Sequence, residues 1–150
     1  MKLDLRRDAI AGVWEFSNAQ VAVRSHGDIA LLRRLVGDAL RSIAPRSTFL
    51  VQLDGLVLEP RFAKAYGTLV KEFVAPAGHR VLRYGGSLLA TTGMRAAAIG
   101  GGFASQVFRT REDALYALKY LPPSETKLAP ASPPPRASWL PRLGAAGQGA

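Results

Sequence analysis

The spacing of apolar and polar positions changes period several times along the chain, and each change marks an element. Leu3 and Leu5 flank Asp4, and Val13-Trp14-Glu15-Phe16 is a β-favouring run. Ser17-Asn18 fits a turn, and Gln20-Val21-Ala22-Val23-Arg24 reads as a second strand, so residues 1–25 predict a hairpin. Behind Asp28, the expected N-cap, Ile29, Leu32, Val36, Ala39, Leu40 and Ile43 recur on one helical face, and Pro45 ends that helix. Thr48-Phe49-Leu50-Val51-Gln52-Leu53 is nearly continuous in apolar character and closes in Asp54-Gly55, as a central strand covered on both faces does. Pro60 suits the first turn of the next helix, along which Phe62, Tyr66, Leu69, Val70 and Phe73 recur until Pro76-Ala77-Gly78. Arg80–Tyr84 is the next strand. Gly85-Gly86 turns the chain, Ser87 caps a helix reaching about Ile99, and Gly100-Gly101-Gly102 ends it. Gln106–Arg109 is a last short strand. Thr110-Arg111-Glu112-Asp113 fits a capping box ahead of Ala114, Leu115, Leu118 and Leu121. The order β-β-α-β-α-β-α-β-α predicts an α/β fold, a mixed, mostly parallel sheet with helices packed on it and the hairpin as its antiparallel edge.

Composition changes this picture mainly at the end of the chain. Seven of the 10 prolines follow Leu121, among Ser, Ala and Gly, and the last residues are Gly144-Ala145-Ala146-Gly147-Gln148-Gly149-Ala150. Such a stretch buries too little apolar surface to offset the entropy of ordering it. The expected organisation is one α/β domain over residues 1–121 and a disordered tail over 122–150, with polyproline-II character at Pro133–Pro135. Trp139, Leu140 and Leu143 are the tail's only anchors, either a short docking motif or merely a few sticky residues. The absence of cysteine excludes disulfides, thiolate metal sites and cysteine nucleophiles. Two histidines, His26 and His79, are too few for a histidine-rich metal site, and no cofactor is expected. No run is long and apolar enough to span a membrane, and Met1-Lys2-Leu3-Asp4 lacks the apolar core of a secretory signal, so the expected location is the cytoplasm.

From Val13 to Leu121 the chain resembles a STAS domain, the fold of the anti-sigma factor antagonists, in its SpoIIAA-like (STAS/SEC14) branch. The resemblance rests on the opening hairpin, on Val21-Ala22-Val23-Arg24-Ser25-His26-Gly27-Asp28, on Phe49-Leu50-Val51-Gln52-Leu53-Asp54-Gly55-Leu56, and on Val107-Phe108-Arg109-Thr110-Arg111-Glu112-Asp113-Ala114-Leu115. It implies a small bacterial regulatory module without catalytic activity that binds a protein partner. In the antagonists, a serine just before the second helix is the phosphorylation switch. The matching stretch here, Asp54-Gly55-Leu56-Val57-Leu58-Glu59-Pro60-Arg61, contains no Ser or Thr. Asp54, Gly55, Leu56, Glu59, Arg61 and Lys64 are the expected partner-binding residues, with Glu59 either a fixed negative charge in place of a phosphate or only a favourable helix-start charge. The SEC14 side of the comparison implies an alternative, a carrier or sensor of a lipid or other apolar ligand, with Phe62, Tyr66, Phe73 and Trp14 near the pocket.

Other constellations offer less. Ser25-His26-Gly27-Asp28 has the letters of a hydrolase triad, but triad members must converge with His between the other two, and this local spacing does not provide that. Gly85, Gly86 and Ser87 sit between a strand and a helix, where backbone N–H groups offer an anion site, although a tight turn alone explains them. They lack the Walker ending and the dinucleotide spacing. Asp54 stands at a strand's C-terminal end without a His, Lys or second acid at matched spacing. The net charge is +9, of which +7 belongs to residues 1–121. The cations are scattered and mostly Arg, and no recognition helix or aromatic-interleaved basic run organises them. Non-specific nucleic-acid binding is therefore the weakest reading, with Arg33, Arg34 and Arg41 as its best surface.

Overall fold

The computed structural model describes residues 1–103 and 106–120. Along them run β1 (Lys2–Asp8), β2 (Val13–Gln20), β3 (Ala22–Val23), α1 (His26–Leu40), β4 (Thr48–Gln52) and β5 (Val57–Leu58). A 3-10 turn at Pro60–Phe62 leads into α2 (Ala63–Val74), followed by β6 (Arg80–Tyr84), α3 (Leu88–Gly101), β7 (Val107–Phe108) and α4 (Arg111–Tyr120). The described residues form a mixed α/β structure with four helices packed on a mixed sheet. The end expected at Leu121 and the tail 122–150 lie outside the described residues.

Five strands form the main sheet in the order β1-β2-β4-β6-β7, and β3 pairs with β5 in a separate two-stranded one. Only β1 and β2 are antiparallel. β4 lies between β2 and β6, the central position its apolar run predicts. Alternation sends Phe49 and Val51 to one face of the sheet and Leu50 to the other. The larger apolar cluster joins α1, α2 and α3 to β3 and β5 through Ile29, Leu32, Tyr66, Leu69, Met94 and Leu58. The smaller joins Val13, Leu50, Leu82 and Tyr84 to Ala114 and Ala117 of α4, which covers the opposite face.

The opening hairpin exists, but not where Ser17-Asn18 places it. The chain reverses between β1 and β2, where the Asp8 carboxylate accepts from the N–H groups of Ile10 and Ala11 at 3.0 Å each. Gly12 completes the reversal at φ +72°. Ser17 and Asn18 stay inside β2 because their side chains reach β4: Ser17 Oγ lies 3.0 Å from Gln52 Oε1, and Asn18 Nδ2 donates to the Gln52 carbonyl at 3.0 Å. Residues 20–24 are not the partner strand of a hairpin; β3 leaves the sheet to pair with β5. The N-cap of α1 is also one turn earlier than expected. Ser25 Oγ accepts from the Asp28 N–H at 3.1 Å, and the Asp28 carboxylate accepts from the Arg24 N–H at 2.9 Å. This is a reciprocal cap with Asp28 in the third helical position, and the Arg24 N–H holds the Asp28 carboxyl below its usual range.

Two contacts fix the helices. Where α2 crosses α3, a Cβ on Gly67 would lie 2.1 Å from the Ala97 carbonyl oxygen, and one on Gly101 would lie 2.4 Å from the Gly67 carbonyl oxygen. The two backbones touch with no room for a side chain. On the other face, Arg111 at the start of α4 donates to Glu15 at 3.1 Å and to Asp8 at 2.6 Å, and the Tyr84 hydroxyl donates to the same Glu15 carboxylate. Glu15 is buried, and Arg6 of β1 also approaches it at 3.6 Å, so its charge is held by two cations and a hydroxyl. Burial and the Glu15 carboxylate push the Tyr84 hydroxyl well above the usual tyrosine range.

A Gly67→Ala change is expected to lower the unfolding free energy by about 3 kcal/mol, at the upper end of overpacking costs. Urea denaturation of the two proteins measures this. A difference below about 0.5 kcal/mol would show that the crossing relaxes without penalty.

Candidate functional site

Function in α/β sheets gathers beyond the C-terminal ends of the parallel strands. Here the ends of β4 and β6 bring Asp54 to Gly85, Gly86 and Ser87. Asp54 Oδ1 accepts from the Gly86 N–H at 2.7 Å, and Asp54 Oδ2 accepts from Gln52 Nε2 at 3.2 Å. With the Ser17–Gln52 contact this makes a polar chain across the ends of β2, β4 and β6. Gly85 and Gly86 have φ +74° and +90°, and a Cβ on Gly86 would lie 2.8 Å from Leu53 Cβ. The Gly85 N–H donates to the Phe108 carbonyl at 2.9 Å, and Ser87 Oγ caps α3 by accepting from the Ala90 N–H at 3.1 Å. At this turn the protein's own carboxylate takes the Gly86 amide, the donor that an external anion would need.

The six residues expected to bind a partner separate into two groups. Asp54, Gly55 and Leu56 build a turn. Gly55 has φ +83°, and a Cβ there would lie 2.8 Å from the Ala19 Cα. Leu56 is 6% exposed and belongs to the larger core cluster. Glu59, Arg61 and Lys64 form the second group, at the surface where β5 meets α2. Arg61 Nε donates to Glu59 Oε1 at 3.1 Å, and its guanidinium lies 4.9 Å from the centre of the Phe62 ring. The Glu59 carboxylate makes no capping bond to the 3-10 turn that follows it. His26 meets the same Phe62 ring edge-on at 5.0 Å. Lys64 lies exposed beside Gly100 of α3. The Ser25-His26-Gly27-Asp28 letters serve the cap of α1, with Ser25 Oγ held by a backbone N–H rather than by His26. Among the described residues no three His, Asp or Glu side chains gather as a metal-binding set, and no helix is long and apolar enough to cross a membrane.

Between the sheet and helices α1 and α2 lies a cavity of about 80 Å³. Its walls are almost wholly apolar and include Phe16, Phe49, Tyr66 and Phe73, with Asn18, His79 and Arg83 as polar members. Tyr66 and Phe73 stand where the apolar-ligand reading places them, whereas Phe62 and Trp14 do not line the cavity. Arg83 is 4% exposed, with its guanidinium 4.4 Å from the centre of the Phe103 ring, and burial pulls its pKa down to about 10. A shallow groove of about 350 Å³ between the ends of α1 and α2 shares Leu40, Phe73 and His79 with the cavity. His79 Nδ1 accepts from the Ser47 N–H at 3.1 Å, which places the proton of the neutral ring on Nε2. Burial holds its pKa below the ordinary 6.5.

Sequence reasoning missed three features. Ser17 and Gln52 pair across β2 and β4, a register that only the fold supplies. The Glu15–Tyr84–Arg111 cluster joins residues up to 96 positions apart. Leu88, Leu89 and Ile99 of α3, 81%, 65% and 85% exposed, are large apolar side chains outside the core. The signal for these three was present: Leu88 and Ile99 lie off the face occupied by Ala90, Met94 and Ala97.

Comparison with known proteins finds no matching family model, no similar curated protein and no similar solved structure.

Asp54→Ala removes the acceptor of the Gly86 N–H and is expected to lower stability by about 2 kcal/mol, the scale of a hydrogen bond to a charged group. Chemical denaturation checks the value, and an unchanged midpoint would mean that the turn does not need the carboxylate. His79 gives a pH signature. Its pKa is lower folded than unfolded, so its contribution is complete above about pH 6.5 and declines as the pH falls from there toward the folded value. The unfolding midpoint is expected to drop as the pH falls below about 6.5, and less steeply in His79→Asn. Equal slopes in the two proteins would remove His79 as the cause.

Proposed function

We propose that the chain is a non-catalytic α/β interaction module that binds a protein partner, as the STAS resemblance implies, without a phosphorylation switch at the usual place. The observation that carries this reading is the exposed apolar side chains Leu88, Leu89 and Ile99 of α3, with Lys64 of α2 beside Gly100 at the Ile99 end. Large exposed apolar side chains standing together mark interaction surfaces. Glu59, Arg61 and Lys64 contribute the polar rim, whereas Asp54, Gly55 and Leu56 support the surface from beneath. The Gly85–Ser87 turn positions the first turn of α3, where Leu88 and Leu89 stand.

The test is capture of partner from the native host by the full-length chain, with native mass spectrometry of the complex. Arg61→Glu combined with Lys64→Glu is expected to weaken capture by roughly tenfold, as reversal of rim charges does. Capture unaffected by this double change, with the protein still folded, would move the partner elsewhere on the molecule.

The cavity favours a second reading, a small apolar ligand held between the sheet and α2. Its volume limits the ligand. An engineered apolar cavity of roughly 150 Å³ takes up benzene, and this one is about 80 Å³. It suits a molecule of a few heavy atoms, not an acyl chain, unless Phe73 or Leu40 moves to join it to the groove. A small molecule retained through gentle purification, with no co-purifying protein, would favour the carrier over the module.

A further inference from the structure

The inner face of α3 is fully committed to the core. Ala90, Gly93, Met94, Ala97, Ala98 and Gly101 are buried against α2 and β5. The outer face is of another kind. Leu88, Thr92, Arg95 and Ile99 follow one another at i, i+4, i+7 and i+11, the spacing of a single helical face, and Leu89 and Ala96 border it. At 1.5 Å per residue the stripe is about 16 Å long, or three helical turns. All six side chains are exposed. The stripe is apolar at both ends, Leu88 with Leu89 at one and Ile99 at the other, with Thr92 and Arg95 between them.

The charge around the ridge has one sign. α3 contains no Asp or Glu, and Arg95 stands within the stripe. Lys64 of α2 lies against Gly100, next to Ile99. Neither cation takes part in an ion pair among the described residues, in contrast to Arg33, Arg41, Arg61 and Arg111, which all have carboxylate partners. The single acid of α2, Glu72, is held by Arg33 of α1 at 2.8 Å. No carboxylate of α2 or α3 is therefore left to neutralise the ridge.

We infer that the outer face of α3 receives an amphipathic helix of a protein partner, whose apolar stripe covers Leu88, Leu89 and Ile99 and whose acidic side chains meet Arg95 and Lys64. The inference rests on the interaction-module reading and names the surface and the chemistry of its partner. A helix fits a straight three-turn ridge by the packing of ridges into grooves, and acidic flanks complete the cations that lack partners. A second copy of this chain would set Arg95 and Lys64 against cations. Helices that lie on anionic membranes are rich in Lys and Arg, whereas α3 carries a single cation.

The experiment places the photo-crosslinker benzoylphenylalanine at Thr92, at the centre of the ridge, in the full-length chain in its native host. The crosslinked segment is identified by mass spectrometry. The expected adduct is a protein segment with apolar residues at helical spacing and Asp or Glu beside them. Arg95→Glu, and separately Leu88→Asn with Leu89→Asn, should each reduce its yield at least about tenfold, the scale for interface anchors and paired charges. These positions are exposed, so circular dichroism should show both variants folded. An adduct with lipid, with a second copy of the chain or with a segment lacking acids would overturn the inference, as would a yield unchanged by Arg95→Glu. The same crosslinker at Arg61 separates the two levels of the reading. An adduct from Arg61 and none from Thr92 leaves the module standing and removes the α3 surface. No protein adduct from either position removes both.

Discussion

The absence of side chains at Gly67 and Gly101 is the constraint on which the arrangement of helices turns. Each glycine lies where a single Cβ would run into the backbone of the other helix. At that contact the backbones of α2 and α3 meet with no side chain between them. The contact sets the small residues Ala97 and Gly101 facing α2, while Met94 is the one long side chain of α3 taken into the core and Leu88, Leu89, Arg95 and Ile99 stay in solvent. The exposed ridge of Leu88, Arg95 and Ile99 is thus a geometric result of the glycine crossing. Lys64 comes beside Gly100 for the same reason. At the other end of α3, the turn built on Gly85, Gly86 and Asp54 fixes the start of the helix, so the ridge is anchored at both ends.

Strands and helices whose apolar residues face a core left a strong period in the chain. β4, β6, α2 and α3 were legible for that reason, down to the cap at Ser87, although α3 runs on through Gly100 and Gly101 before Gly102 ends it. The hairpin was misplaced because Ser17 and Asn18 look like turn residues in isolation. Their side chains are satisfied by Gln52, which is 35 and 34 positions away. Turn propensity is a local quantity, and here a cross-strand partner overrode it. The candidate site was legible only in part. Asp54 and Gly85–Ser87 were singled out separately, but that one fills the amide of the other depends on the register of β4 against β6. Leu56 illustrates the opposite error. It occupies a stretch chosen by resemblance, yet the turn at Leu53–Leu56 folds it into the core.

The charge follows a similar division. A net +9 suggests a cationic surface when counted from composition. In the fold, Arg111 is spent on Asp8 and Glu15, Arg33 on Glu72, Arg41 on Asp38, and Arg83 is buried beside Phe103. Surface pairs of this type contribute little stability individually. Their effect is on where the field is felt: the paired cations are locally neutralised, whereas Arg95 and Lys64, on and beside α3, are in no ion pair among the described residues.

Arg111 joins Asp8 across a sequence separation of 103 residues. The clamp therefore ties the last helix of the described chain to its first hairpin. During synthesis at roughly 5–20 residues per second, the hairpin exists for several seconds before α4 emerges. Throughout that interval Glu15 has Arg6 of β1 but not Arg111, and the sheet face bearing Leu50 and Leu82 is uncovered. That face of the sheet is covered only once α4 arrives, and until then it is the surface that a chaperone would hold.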